Sequence, residues 1–106
     1  DAQKNTLTRK STVDLRPAMA GRQESVKVAP VFVLLTSDYS RFRGGAELWG
    51  PMDAGYVSQN IYLICEAMGL NTVARGMMDK TEVARVLGLP DHVKPMLNHP
   101  IGYPVE

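Results

Sequence analysis

Apolar residues fall in a few dense stretches along this chain, each with its own rhythm. The densest is "APVFVLLTS", residues 29–37, where Val31, Phe32, Val33, Leu34 and Leu35 follow one another without a polar break. A run that is apolar on both faces predicts a strand covered on both sides, as in layered α/β architectures. "GPMDAGYVSQNIYLICEAMGL" has the helical rhythm instead: Val57, Ile61, Ile64 and Met68 fall on one stripe at steps of four, three and four. Gly50 is the expected N-cap, Pro51 the first helical position, Asp53 a first-turn negative charge and Gly69 the stop. Leu63, Cys65 and Ala67 add apolar surface on other sides, so the second half of this helix is expected to be buried nearly all round. A chain of 106 residues does not easily supply that cover, and a partner surface is implied.

The flanking stretches are shorter. "NTVARG" reads as a short strand, and "MDKTEVARVLG" as a helix with capping-box-like spacing of Asp79 and Glu82, an apolar face of Val83, Val86 and Leu87, and Gly88 as its stop. "VKPMLNHPIGYP" holds three prolines in twelve residues, yet Met96, Leu97 and Ile101 want burial. Proline is tolerated at sheet edges, which predicts an extended last strand at an edge or crossing to a partner. Upstream, "KNTLTRKSTV" is compatible with a hairpin edge, and "DLRPAMAGRQES" with one or two helical turns from Asp14, Pro17 lying early in them. "DYSRFRGGAELWG" reads as a loop, flexible at Gly44-Gly45. The expected organisation is one domain: a variable lead-in over 1–28 and a strand–helix–strand–helix–strand core over 29–104.

Composition narrows the partners. The net charge is +1 and the basic residues do not cluster, which argues against nucleic acid and an anionic membrane surface. No apolar run approaches the ~20 residues of a membrane span, and the opening "DAQKNTLTRK" lacks the apolar core of a signal peptide. Cys65 is the one cysteine, so neither an intrachain disulfide nor a multi-cysteine metal site is expected. His92 and His99 make no metal set with it. Inside an apolar helix Cys65 is expected to act as a small core hydrophobe.

The order of strand, long helix, "GL-N-T-V-x-x-G" strand, short capped helix, "LGLP" and a closing "P-x-GYP" resembles the C-terminal half of the nitroreductase-like flavoproteins. The closest likeness is to the branch that includes dehydrogenases oxidising thiazolines and oxazolines. "DAGYVSQNIYLICEAMGLNTVARGMMDKTEVARVLGLP" carries most of the match, and the likeness spans roughly residues 14–104. It implies an α+β fold with a mixed sheet, a homodimer, and FMN held at the dimer interface. The implied reaction passes hydride from NAD(P)H through the flavin to a nitro compound, quinone or similar small-molecule acceptor. The family's arginine- and serine-rich N-terminal segment, which grips the FMN phosphate, has no counterpart here. "TRKSTVDLR" lies where the family has a variable connection. The chain therefore reads as part of a longer protein, with a missing N-terminal half, and activity is expected only in the complete protein. The alternative is a non-catalytic, dimerising interaction module built on the same fold.

By the same resemblance, the loop holding Ala74, Arg75 and Gly76 lies against the flavin ring, with backbone N–H groups aimed at its N5 and O4. Donors there stabilise charge that develops on the reduced ring. Gly76 permits close approach or a positive φ, or merely turns the chain into the next helix. Arg75 is expected to act through its backbone, its charge tuning the flavin or meeting a substrate anion. Met77 and Met78 face the flavin or fill the core. Gln59 and Asn60 are expected to bond across a helix interface, Asp53 to serve as a helix-start charge, and His99 to be structural. No catalytic nucleophile is expected, since flavin hydride transfer requires none, and no metal site is expected from one cysteine and two separated histidines.

Overall fold

The computed structural model describes residues 1–105. Its centre is the stretch with the most prolines. Residues Val93–Gly102 form β3, the middle strand of a three-stranded antiparallel sheet, with β1 (Val31–Asp38) on one side and β2 (Asn71–Thr72) on the other. The prediction of an edge or crossing strand is thereby corrected. Both prolines sit where the ladder needs no N–H. Pro95 lies at a bulge, where the register with β1 slips between Leu35 and Thr36. Pro100 turns its carbonyl toward β2, where it accepts from the Thr72 hydroxyl at 2.8 Å. In an antiparallel strand the N–H points the same way, and on that side the pairing lapses between Thr72 and the isolated Arg75–Asn98 bridge. The missing donor falls in that gap.

Strand β1 forms where expected, but it pairs only with β3. Phe32 to Leu35 are half-buried and Val31 is 51% exposed, so β1 is not covered on both sides within this chain. "NTVARG" contributes the two-residue β2 and the Arg75 bridge, not a continuous strand. The expected hairpin edge in "KNTLTRKSTV" is absent: residues 6–11 are irregular, and Leu7 is fully exposed. Helix α1 (Arg16–Ala20) starts close to its predicted position, with Asp14 accepting the Arg16 N–H and Pro17 in the first turn. A 3₁₀ turn at Glu24–Val28 leads into β1.

Helix α2 (Ala46–Met68) begins a turn earlier than its glycine and proline suggested. Gly45, in the left-handed region at φ 70°, is the N-cap, and its carbonyl takes the N–H groups of Leu48 and Trp49. Pro51 lies inside the helix; its missing N–H orphans only the carbonyl of exposed Glu47, which water can reach. Gly50 serves closeness rather than capping. A Cβ there would lie 2.7 Å from Ser37 Oγ and 2.9 Å from a Tyr39 ring carbon.

The face α2 turns to the sheet is Ala46, Gly50, Ala54, Ser58 and Cys65, all buried. The apolar stripe that periodicity marked lies largely outward: Ile64 is 58% exposed, Met68 66% and Val57 48%, with Leu63 beside them. Small side chains let helix and strands approach closely, and the larger ones are left to face away. The expectation of burial all round is therefore not met within this chain. Helix α3 (Lys80–Leu87) follows prediction. The Asp79 carboxylate accepts the Glu82 N–H, and Gly88 closes the helix at φ 64°. Glu82 does not complete the reciprocal box but pairs with Arg85 at 2.7 Å. Asp79 also donates its own N–H to the Ala18 carbonyl, tying α3 to α1.

Candidate functional site

The loop between β2 and α3 is built residue by residue from different parts of the fold. Ala74 donates its N–H to the Tyr62 hydroxyl of α2 at 2.6 Å. Arg75 exchanges both backbone bonds with Asn98 of β3, its N–H to the Asn98 carbonyl at 2.9 Å and its carbonyl from the Asn98 N–H at 2.8 Å. Beyond that, among the described residues, nothing accepts the N–H of Gly76, Met77 or Met78. The predicted trio Ala74, Arg75 and Gly76 is thus one continuous segment whose first two amides are engaged internally and whose third is free.

Gly76 is exposed, its φ is not positive, and an added Cβ would meet nothing within 4 Å. Neither a left-handed turn nor a crowded neighbour inside this chain calls for glycine. The positive φ anticipated as one use of this residue is therefore not found.

Arg75 departs further from expectation. Its side chain is only 7% exposed and points inward. Nε donates to Gln23 Oε1 at 3.0 Å, one terminal nitrogen donates to the Met19 carbonyl and to Asn98 Oδ1, and the other donates to the Ala20 carbonyl. The guanidinium closes the C-terminal end of α1, where orphan carbonyls carry partial negative charge. No carboxylate among the described residues pairs with it, and burial lowers its pKa from the usual arginine value. Its charge is therefore held within the fold and does not extend into solvent toward a substrate. Met77 is 55% exposed and not a core filler, while Met78 is half-buried. With Pro17, Ala18, Gly21 and Arg22 they line an open cleft of about 690 Å³.

The buried polar chemistry lies behind the loop, where His99 meets Ser58, Thr72 and Tyr62, three residues that sequence reasoning passed over. His99 is fully buried, with Nε2 at 2.6 Å from Ser58 Oγ and Nδ1 at 3.0 Å from Thr72 Oγ1. The Tyr62 ring meets it edge to face, centroids 5.2 Å apart. Burial lowers the His99 pKa, favouring the neutral ring. Its structural role was anticipated; its partners were not. Gln59 and Asn60, the expected interface pair, are exposed, and Ser58 beside them is the buried polar residue. The signal available was spacing: Ser58 and Tyr62 are one helical turn apart and share a face. Cys65 is buried and free, as a core hydrophobe should be. Among the described residues no group of three or more His, Cys, Asp or Glu could hold a metal, and no helix is long and apolar enough to cross a membrane.

Comparison with known proteins follows the same lines. The family model described as the nitroreductase family matches residues 1–103. A candidate NADH dehydrogenase/NAD(P)H nitroreductase of Methanothermobacter thermautotrophicus is 35% identical over 85 residues, 76% of this chain and 44% of that protein. The FMN reductase [NAD(P)H] of Bacillus subtilis is 29% identical over 106 aligned positions, covering 83% of this chain and 43% of its own length. In structure, a candidate nitroreductase from Ralstonia eutropha JMP134 superposes with a TM-score of 0.79 at 29% identity, covering 92% of this chain and 48% of that one. The chain spans about half the length of the relatives it matches.

Proposed function

The chain belongs to the nitroreductase family, and from that premise we propose that it forms the ring-facing half of an FMN-dependent NAD(P)H oxidoreductase. The observation that carries the reading is Gly76. A glycine that the chain's own geometry does not require, exposed and with a free N–H at the end of a pinned segment, suits close approach by a group from outside. Bound FMN would accept hydride from NAD(P)H and pass it to an acceptor. What this chain contributes is a row of amide donors from Gly76 onward, for negative charge at the edge of the ring. The names of the relatives, an FMN reductase and an NAD(P)H nitroreductase, support the cofactor and the electron donor.

The acceptor we propose is a nitro compound, a quinone or a similar small molecule. Membership of the branch with thiazoline and oxazoline dehydrogenases is the narrower form of this reading, supported by motif order alone. The phosphate end of FMN is not provided for in the same way, since the buried Arg75 guanidinium beside the loop already holds α1. We therefore assign the phosphate to the remainder of the complete protein. We also propose a homodimer. The outward row of α2, with Leu63, Ile64 and Met68 exposed, supports a covering surface that this chain does not supply.

The test is FMN titration into the full-length protein, followed by flavin fluorescence and steady-state NAD(P)H oxidation with a nitroaromatic and a quinone. Submicromolar binding and turnover are the expected results. A stable dimer that takes up no flavin would overturn the reading and leave the fold as a non-catalytic interaction module.

A further inference from the structure

The segment leading into Gly76 is held by a side chain that, among the described residues, makes one hydrogen bond. Tyr62 stands on α2 one turn after Ser58, half-buried, and among the described residues its hydroxyl hydrogen-bonds only to the Ala74 N–H, at 2.6 Å. A phenol on a long lever holds an amide in place only if its ring cannot swing. Here the ring rests edge to face against His99, at an interplanar angle of 77°.

His99 itself is locked at both nitrogens, and the hydroxyl arithmetic fixes its tautomer. Thr72 Oγ1 donates its one proton to the Pro100 carbonyl at 2.8 Å, so toward His99 it can only accept. In the neutral ring that burial favours, the proton therefore sits on Nδ1, and Nε2 accepts from Ser58 Oγ at 2.6 Å. Serine, imidazole, threonine and a β3 carbonyl form one directed chain with every proton assigned. It joins α2, β2 and β3 directly behind the loop. The imidazole cannot flip without leaving a buried nitrogen unpaired, and it is the wall against which Tyr62 stands.

We propose that Tyr62 is a positioning residue for the candidate flavin-facing loop, holding Ala74 so that Gly76 presents its free N–H in one fixed place. Two consecutive amides are pinned from two different elements, Ala74 from α2 and Arg75 from β3. A peptide anchored on both sides in this way leaves the next N–H with little freedom of direction. The Tyr62 hydroxyl also keeps its own proton unassigned among the described residues. Accepting the Ala74 N–H polarises that O–H and makes it a stronger donor for a ligand beside the loop. The proposal rests on the reading of this loop as flavin-facing.

The experiment compares wild-type full-length protein with Tyr62→Phe, which keeps the ring against His99 and removes only the hydroxyl. In protein labelled with nitrogen-15 alanine, the Ala74 amide should exchange with solvent ~10-fold or more faster in the variant, as loss of its one acceptor requires. With FMN bound, the variant should show a shifted visible flavin band and about ten-fold weaker affinity, with a melting temperature within a few degrees of wild type. A purely structural tyrosine would change exchange and melting but leave the flavin band in place. That result, or unaltered Ala74 exchange, overturns the proposal. If Tyr62→Phe does not fold, Ser58→Ala decides. It frees the imidazole behind Tyr62 and should raise Ala74 exchange and move the flavin band in the same direction; no change in either overturns the proposal. If wild-type protein takes no flavin, the functional reading fails on that arm alone and the proposal falls with it. A failure of the proposal by itself shows only in the variants.

Discussion

Arg75 and Asn98 are joined three times, by a reciprocal pair of backbone hydrogen bonds at 2.9 and 2.8 Å and by a third from the Arg75 guanidinium to Asn98 Oδ1 at 3.0 Å. Asn98 in turn donates through Nδ2 to the Met19 and Met77 carbonyls. One side-chain pair thus knits α1, the loop and the central strand. Lysine cannot reproduce a planar fork that reaches four neutral acceptors. Arg75→Lys is expected to cost about 2–4 kcal/mol, through carbonyls left unpaired in a buried setting. Urea unfolding of the full-length protein measures this, and a loss under about 0.5 kcal/mol would show that the guanidinium is dispensable.

Gly50 predicts a sign reversal. Glycine to alanine inside a helix ordinarily stabilises by roughly 0.5–1 kcal/mol. Here the new methyl would run into Ser37 Oγ and the Tyr39 ring at distances no Cβ tolerates. Gly50→Ala should instead destabilise by about 1–3 kcal/mol as α2 is pushed off the end of β1. The same change at Gly55, which has open space, should be neutral or stabilising. Thermal melts of the two variants side by side make the comparison.

At Gly76 fold and function should separate. Since nothing among the described residues lies within 4 Å of an added Cβ, Gly76→Ala is expected to leave stability within about 0.5 kcal/mol or to raise it slightly. FMN affinity in the complete protein should fall all the same, by about ten-fold, if the backbone there approaches a ring. Equal flavin affinity in wild type and variant would remove Gly76 from the site.

The buried imidazole gives a pH dependence of definite sign. His99 has a folded-state pKa below 6.5 because burial disfavours its cation. The unfolded chain then binds more protons than the folded one once pH drops through 6.5, so stability falls with acidification from that point down to the lowered folded value. Asp38 and Glu82 have pKa values lowered by their hydrogen bonds to Ser40 and Arg85. Their contributions are lost only at more acidic pH, as it falls through the lowered carboxylate values. The urea midpoint should therefore decline already between about pH 7 and about pH 5.5, and His99→Gln should flatten that segment relative to wild type. Parallel profiles would indicate that other groups set the slope.

Much of this architecture is written locally. Asp79 and Gly88 bracket α3 because capping depends on a few neighbouring residues, and those residues are visible in the sequence. The body of α2 and the strand at Val31 are legible from the rhythm of their own apolar residues. What is not legible is direction. Periodicity found the stripe of Val57, Ile61, Ile64 and Met68 and marked it as the buried face, yet the sheet takes the row of small residues instead. Choosing between two faces requires knowing what lies across from each. Likewise Pro95 and Pro100 argued for an edge, because the bulge and the ladder gap that accommodate them are made by β1 and β2 far away in sequence. The loop at Ala74–Gly76 was found by likeness, whereas the residues that brace it, Ser58, Tyr62 and His99, meet only through the fold.

The division of α2 has a consequence for which substitutions this protein can accept. Folding constrains the buried row Ala46, Gly50, Ala54, Ser58 and Cys65, and at Gly50 even one added carbon collides with Ser37 of β1. Val57, Ile64 and Met68 stand on the other side and answer to none of those contacts. Substitutions in that outer row leave the helix–sheet contact intact, and their cost falls on the proposed covering surface instead. One helix therefore answers to two separate demands, the fold of this chain through its small residues and the proposed covering surface through its large ones.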